Sequence, residues 1–152
     1  ALDIATLRQI PNLTLLSPKD TVELREMVRF ALAWRQGPIA LRYPRGAGEI
    51  LSENPAPLRL GESETLMRGD DLAMLAYGPM TAVAIEAARR LRDEHDVHAE
   101  VVNARWAKPL DEDAVLALAR RTRRLITLED GGLPGGFGSA VLELLAERGV
   151  TD

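Results

Sequence analysis

The spacing of apolar and polar positions changes several times along the chain, and each change marks an element. Leu13 to Leu16 is a short unbroken apolar run, which reads as a buried strand. Ser17-Pro18-Lys19-Asp20 follows. Serine can cap a helix, proline suits the first helical position, and an acid in the first turn favours the helix dipole. Leu24, Met27, Val28, Ala31 and Leu32 then recur at helical spacing, so a helix with one apolar face is expected to end near Gln36-Gly37-Pro38. Ile39 to Tyr43 alternates as a strand that Pro44-Arg45-Gly46 ends. The stretch 46–57 has no period and is rich in glycine, proline and polar residues, as a linker is. Leu58 to Met67 reads as a strand or hairpin arm.

Beyond Gly69 strands and helices alternate. Leu72 to Tyr77 is a buried strand turning at Gly78-Pro79, and Val83, Ala84, Ala87, Ala88 and Leu91 form one helix face. Ala99 to Asn103 is the next strand, Arg105 to Asp111 a loop, and Asp111 a cap for a helix from Glu112 to about Arg121. Leu125 to Leu128 is a third strand, and the glycine-rich turn Gly131 to Gly138 opens a last helix bearing Val141, Leu142, Leu144 and Leu145. Strands separated by helices of this length imply crossover units and a mostly parallel, helix-covered sheet, an α/β fold. The expected division is 1–46 as the end of one domain, 47–57 as linker and 58–152 as most of another. A poorly capped opening helix over Ala1 to Ile10, and a close at Gly149 to Asp152 where a further strand is expected, suggest a piece of a longer protein.

Composition narrows the function classes. The 152 residues carry 19 basic and 23 acidic side chains, a net charge of −4, which argues against bulk nucleic-acid or anionic-membrane binding. Without cysteine there is no thiol catalysis and no cysteine-held metal, and two histidines, His95 and His98, in a polar turn offer little for a histidine site. No apolar run approaches the roughly 18 residues of a membrane helix. Arginine outnumbers lysine 17 to 2, so most cations are planar forks suited to carboxylate and phosphate.

Arg42-Tyr43-Pro44-Arg45-Gly46 is the most informative segment, because it ends a strand and open α/β sheets bind ligands at that edge. Two readings stay open on residue chemistry alone: an arginine forked onto an anion, or two surface arginines beside a linker. The turn Gly131 to Gly138 lacks the dinucleotide spacing and the P-loop lysine, which favours a turn for close packing over a phosphate cradle. Glu129 and Asp130 are read as capping, paired or solvated carboxylates, Trp106 as a packing residue, and Arg120 to Arg124 as a solvated basic helix end.

Taken in order, Ile10-Pro-Asn-Leu13, Ser17-Pro-x-Asp20 and Gly37-Pro-x-Ala40-x-Arg-Tyr-Pro-Arg-Gly46 resemble the end of the pyrimidine-binding domain of the 1-deoxy-D-xylulose-5-phosphate synthases. Val102-Asn-Ala-Arg105, Lys108-Pro-Leu-Asp111, Thr127-Leu-Glu129 and Gly135-Gly-Phe-Gly-Ser-Ala140 resemble their C-terminal transketolase-type domain. The resemblance covers essentially the whole chain, and Arg-Tyr-Pro-Arg-Gly is its most specific part. It implies a homodimeric, cytoplasmic transferase that uses thiamine diphosphate and Mg2+ to condense pyruvate with glyceraldehyde 3-phosphate, supplying isoprenoid, thiamine and pyridoxal precursors. It also implies that Arg45 grips the substrate phosphate, with Arg42 a second candidate. The family's Gly-Asp-Gly metal motif, its activating glutamate and its active-site histidines have no counterpart here, so no catalytic, cofactor or metal residue is expected in this chain, which alone would be inactive and bind no cofactor. Other transketolase-like enzymes, such as a 2-oxo acid dehydrogenase beta subunit, and a free-standing flavodoxin-like module are the alternatives.

Overall fold

The computed structural model describes residues 2–45, 48 and 50–150. In chain order they form α1 (Asp3–Arg8), β1 (Thr14–Leu16), α2 (Thr21–Ala33), β2 (Ile39–Leu41), β3 (Glu64–Met67), β4 (Leu72–Ala76), α3 (Met80–His95), β5 (Ala99–Asn103), β6 (Trp106–Lys108), α4 (Glu112–Thr122), β7 (Leu125–Leu128) and α5 (Phe137–Glu147). The α/β architecture read from the spacing is the one observed. Among the described helices none is long and apolar enough to cross a membrane.

The strands form two sheets. One has the order β2-β1-β6, the other β3-β5-β4-β7. In the second, β4 runs parallel to both β5 and β7, and β3 closes the far side antiparallel to β5. Successive residues of β4 point to opposite faces, as the pleat requires. Met74 and Ala76 pack with Ala84 and Ala88 of α3. Ala73, Leu75 and Tyr77 meet Val115 and Leu118 of α4 and Val141 and Leu144 of α5 on the other face.

Two expectations need correction. Ser17 does not cap α2. The cap is Asp20, whose carboxylate accepts from Glu23 N at 2.8 Å, while the Ser17 hydroxyl donates to Arg42 O at 2.7 Å. The stretch from Arg105 is not all loop. Trp106–Lys108 is a strand that leaves the sheet of β5 and pairs antiparallel with β1, in the sheet built otherwise from the first part of the chain. Arg105, at φ 59, makes the turn between the two sheets. Among its described residues the segment read as a linker has neither helix nor strand, and it is tied down. Leu51 N and Ser52 N donate to Asp20, Ala56 N donates to Glu64, and the carbonyls of Ala56 and Pro57 accept from Arg105. Gly46, Ala47 and Glu49 of that segment lie outside the described residues.

Other expectations hold. The opening helix lacks a side-chain cap, and Asp111 caps α4 by accepting from Ala114 N at 3.1 Å. Trp106 is fully buried against Leu16 and Met27, edge-on to Phe30, with its indole N–H donating to Glu62 O.

Candidate functional site

Strands β1 and β2 are parallel neighbours, so their carboxyl ends lie side by side. The chain leaves β1 as Pro18-Lys19-Asp20-Thr21 and β2 as Tyr43-Pro44-Arg45, and these segments line a pocket of about 290 Å³. Leu24 of α2, Leu51, and Pro79 and Ala82 at the start of α3 complete the wall. Arg45 is exposed at this pocket. Among the described residues no hydrogen bond or ion pair engages its guanidinium.

Arg42 is placed differently. Its Nε donates to Asp3 Oδ2 at 2.6 Å, its Nη2 donates to Asp130 O, and its side chain is only 15% exposed. Burial works against its charge, but Asp3 and Asp130 outweigh that and hold the guanidinium above its ordinary value. The same contact holds the Asp3 carboxyl below its ordinary value, again against the upward push of burial. The structure therefore does not bring the two arginines together on one ligand surface. Arg42 ties the end of β2 to α1 and to the turn after β7.

Behind the pocket lies a buried ionic cluster that sequence reading missed. Arg105 Nε sits 2.7 Å from Glu23 Oε1 and its Nη2 3.2 Å from Glu64 Oε2. Lys19 Nζ lies 3.1 Å from Glu64, 3.5 Å from Glu23 and 3.8 Å from Asp20. Asn103 Nδ2 donates to Glu23 at 3.0 Å. Burial raises the Glu64 carboxyl, but the Ala56 N–H, Arg105 and Lys19 outweigh it, and the group rests below its ordinary value. One signal of the cluster was present in the sequence: an acid followed three residues later by a glutamate, Asp20 and Glu23, is the pattern of a capping box. Its long-range members, Glu64 and Arg105, carried none.

The glycine-rich turn is a packing device. The Glu129 carboxylate accepts from Phe137 N at 2.8 Å and Gly138 N at 2.9 Å, so an acid from β7's end already occupies the N-terminus of α5. Arg8 of α1 donates to the carbonyls of Gly135 and Gly136. A Cβ at Gly136 would lie 2.5 Å from the Glu129 carboxylate, so the close approach requires glycine. Lys108, in the Lys-Pro-Leu-Asp motif, donates to Arg8 O and Ile10 O and closes the end of α1. His95 and His98 are exposed, and Arg121 pairs with Asp70 and the buried Glu100.

This two-part arrangement has known counterparts. Residues 61–152 match the family described as transketolase, C-terminal domain, and residues 1–49 match transketolase, pyrimidine binding domain. The chain belongs to the transketolase C-terminal domain family. It is 49% identical over 97% of its length to the 1-deoxy-D-xylulose-5-phosphate synthase of Acaryochloris marina, and 50% identical over 98% to a protein of that name, numbered 1, from Geobacter sulfurreducens. It spans about a quarter of the length of these curated relatives (24% and 23%). Among solved structures it resembles a split-gene transketolase described as an inactive beta4 tetramer, with a TM-score of 0.91 and 33% identity, covering 97% of this chain and 48% of that one. The transketolase of Campylobacter jejuni shares the fold at a TM-score of 0.62 and 17% identity, over 99% of this chain and 26% of that one.

Proposed function

We propose that this chain is the C-terminal part of a 1-deoxy-D-xylulose-5-phosphate synthase, a transketolase-type transferase that joins pyruvate to glyceraldehyde 3-phosphate with loss of carbon dioxide and feeds isoprenoid, thiamine and pyridoxal synthesis. The same reading carries a cytoplasmic homodimer. In it, Arg45 grips the acceptor's phosphate, and Arg42 holds the end of β2 in place rather than touching substrate. The observation that carries the site is Arg45: a guanidinium without a partner among the described residues, at a pocket on the carboxyl edge of two parallel strands. A planar fork there suits the two oxygens of a phosphate.

Thiamine diphosphate and Mg2+ belong to this reading of the whole enzyme, and the residues described here do not fit them. A magnesium site needs oxygen ligands free to coordinate. The acids that gather, Asp20, Glu23 and Glu64, face Lys19, Arg105, Asn103 and backbone N–H groups instead. Among the described residues no group of three or more His, Cys, Asp or Glu is arranged to hold a metal ion. The helix N-terminus after the glycine-rich turn is filled by Glu129. The chain alone is proposed to be inactive. What these residues do is hold and orient the acceptor.

The test is Arg45→Ala in the complete synthase. Losing a charge-assisted bond of about 1.5–3 kcal/mol raises the KM for glyceraldehyde 3-phosphate by roughly 10- to 100-fold, with the KM for pyruvate nearly unchanged. Equal changes for both substrates, or none, exclude the phosphate role. Another transketolase-like reaction on the same fold is the second reading, favoured by the 33% identity to a transketolase. An acceptor preference for a non-phosphorylated substrate that ignores Arg45 would select it.

A further inference from the structure

We propose that Asp20 is a positioning residue for this pocket, stapling Leu51 and Ser52, at the start of the strap 50–57, to the pocket wall. The proposal rests on the phosphate-pocket reading above.

The two oxygens of Asp20 do separate jobs. Oδ1 accepts from Glu23 N at 2.8 Å and caps α2. Oδ2 accepts from Leu51 N at 3.2 Å and Ser52 N at 3.3 Å. Capping alone asks for one oxygen, and serine supplies it as well as aspartate does. The Asp20 side chain is 0% exposed, and a buried carboxylate is costly unless its charge is matched. Lys19 Nζ, 3.8 Å away and equally buried, offsets part of that charge while it also faces Glu64 at 3.1 Å and Glu23 at 3.5 Å. The residue type therefore follows from the second job.

That job shapes the pocket. Leu51 lines the same pocket as Arg45, so the two backbone N–H groups held by Asp20 set where Leu51 stands in that wall. The far end of the strap is held by the same cluster: Glu64 accepts from Ala56 N at 2.8 Å, and Arg105 donates to Ala56 O at 2.8 Å and Pro57 O at 3.3 Å. Lys19 lies between Asp20 and Glu64 and joins the two anchors. With both ends fixed before ligand arrives, less ordering remains to be done on binding.

Two variants separate the staple from the cap. Asp20→Ser keeps a capping oxygen but cannot reach Leu51. Asp20→Asn keeps the size, and its NH2 cannot accept from an N–H. In the complete synthase both are expected to raise the KM for glyceraldehyde 3-phosphate about tenfold by loss of pre-organisation, with kcat and the KM for pyruvate within about twofold. Amide hydrogen exchange at Leu51 and Ser52 is expected to rise by about tenfold or more, while the first turn of α2 keeps its protection. Unchanged exchange in both variants overturns the staple. Faster exchange with an unchanged acceptor KM, when Arg45→Ala does raise that KM, overturns the positioning role and leaves the phosphate reading standing. An unchanged KM in Arg45→Ala itself overturns the phosphate reading and the positioning role together, and Arg45 alone identifies that case.

Discussion

At the carboxyl edge of the four-stranded sheet, the space between β4 and β7 is filled by the protein itself. Connections leave β4 toward β5 on one side while β7 lies on the other, which is where an open α/β sheet usually takes its ligand. Here Ile4 of α1 sits over Gly131, Glu129 fills the N-terminus of α5, and Arg42 bridges Asp3 and Asp130. At the carboxyl edge of the three-stranded sheet, between β1 and β2, a pocket stays open with Arg45 on it. The topology alone marks both edges as ligand sites. What separates them is whether the chain's own charged groups already satisfy the donors and cations there.

Arg105 tests whether the two edges share one foundation, and it carries the largest expected effect. Arg105→Met leaves Glu23 and Glu64 buried without their guanidinium, and removing one partner of such a pair costs about 3–5 kcal/mol. The midpoint of urea denaturation reads it. A loss below about 1 kcal/mol would mean that the sheets are stabilised independently.

Glu129→Ala addresses the filled edge alone. It removes the acceptor for Phe137 N and Gly138 N at a helix N-terminus, a loss of about 1–2 kcal/mol by thermal or chemical unfolding. The acceptor KM of the proposed complete synthase should not move. If it does, the filled edge is part of the binding site and the contrast between the edges fails.

The mildest perturbation is acid. The Glu64 carboxyl is held below its ordinary value of 4.5, so the folded state binds its proton less readily than the unfolded state. Its contribution is complete above that value and is lost as pH falls through the lower folded value. Stability measured from pH 6 downward should therefore drop less steeply below about pH 4.5 in Glu64→Gln than in the unaltered chain. Parallel pH profiles would show that Glu64 is not held by Lys19 and Arg105.

The elements were legible in the sequence where the apolar period was long. Helices α2 to α5 fall close to their expected places because each buries one face, and strands β4, β5 and β7 do so because each is a short, largely apolar run. The three residues of β6 were not legible: Trp106-Ala107-Lys108 is too short to show a period, and its partner β1 lies some ninety positions earlier. Ser17 was misread as a cap because its type suits capping, whereas its hydroxyl is used by Arg42 O, a partner visible only in space. The candidate site divides the same way. Arg45 stood out because arginine, proline and glycine follow a strand. Arg42, two positions before Pro44, offered the same chemistry.

The sequence by itself determined the α/β class, the succession of elements and the presence of an arginine turn at a strand end, because these depend on local period and local residue type. Only the tertiary structure decided that Arg42 is consumed by Asp3 and Asp130 while Arg45 meets no partner among the described residues, and that the stretch 51–57 is held by Asp20, Glu64 and Arg105. The reason is physical: a charged side chain's role depends on which opposite charge reaches it, and in this chain those partners are brought together from distant segments by the burial of two sheets.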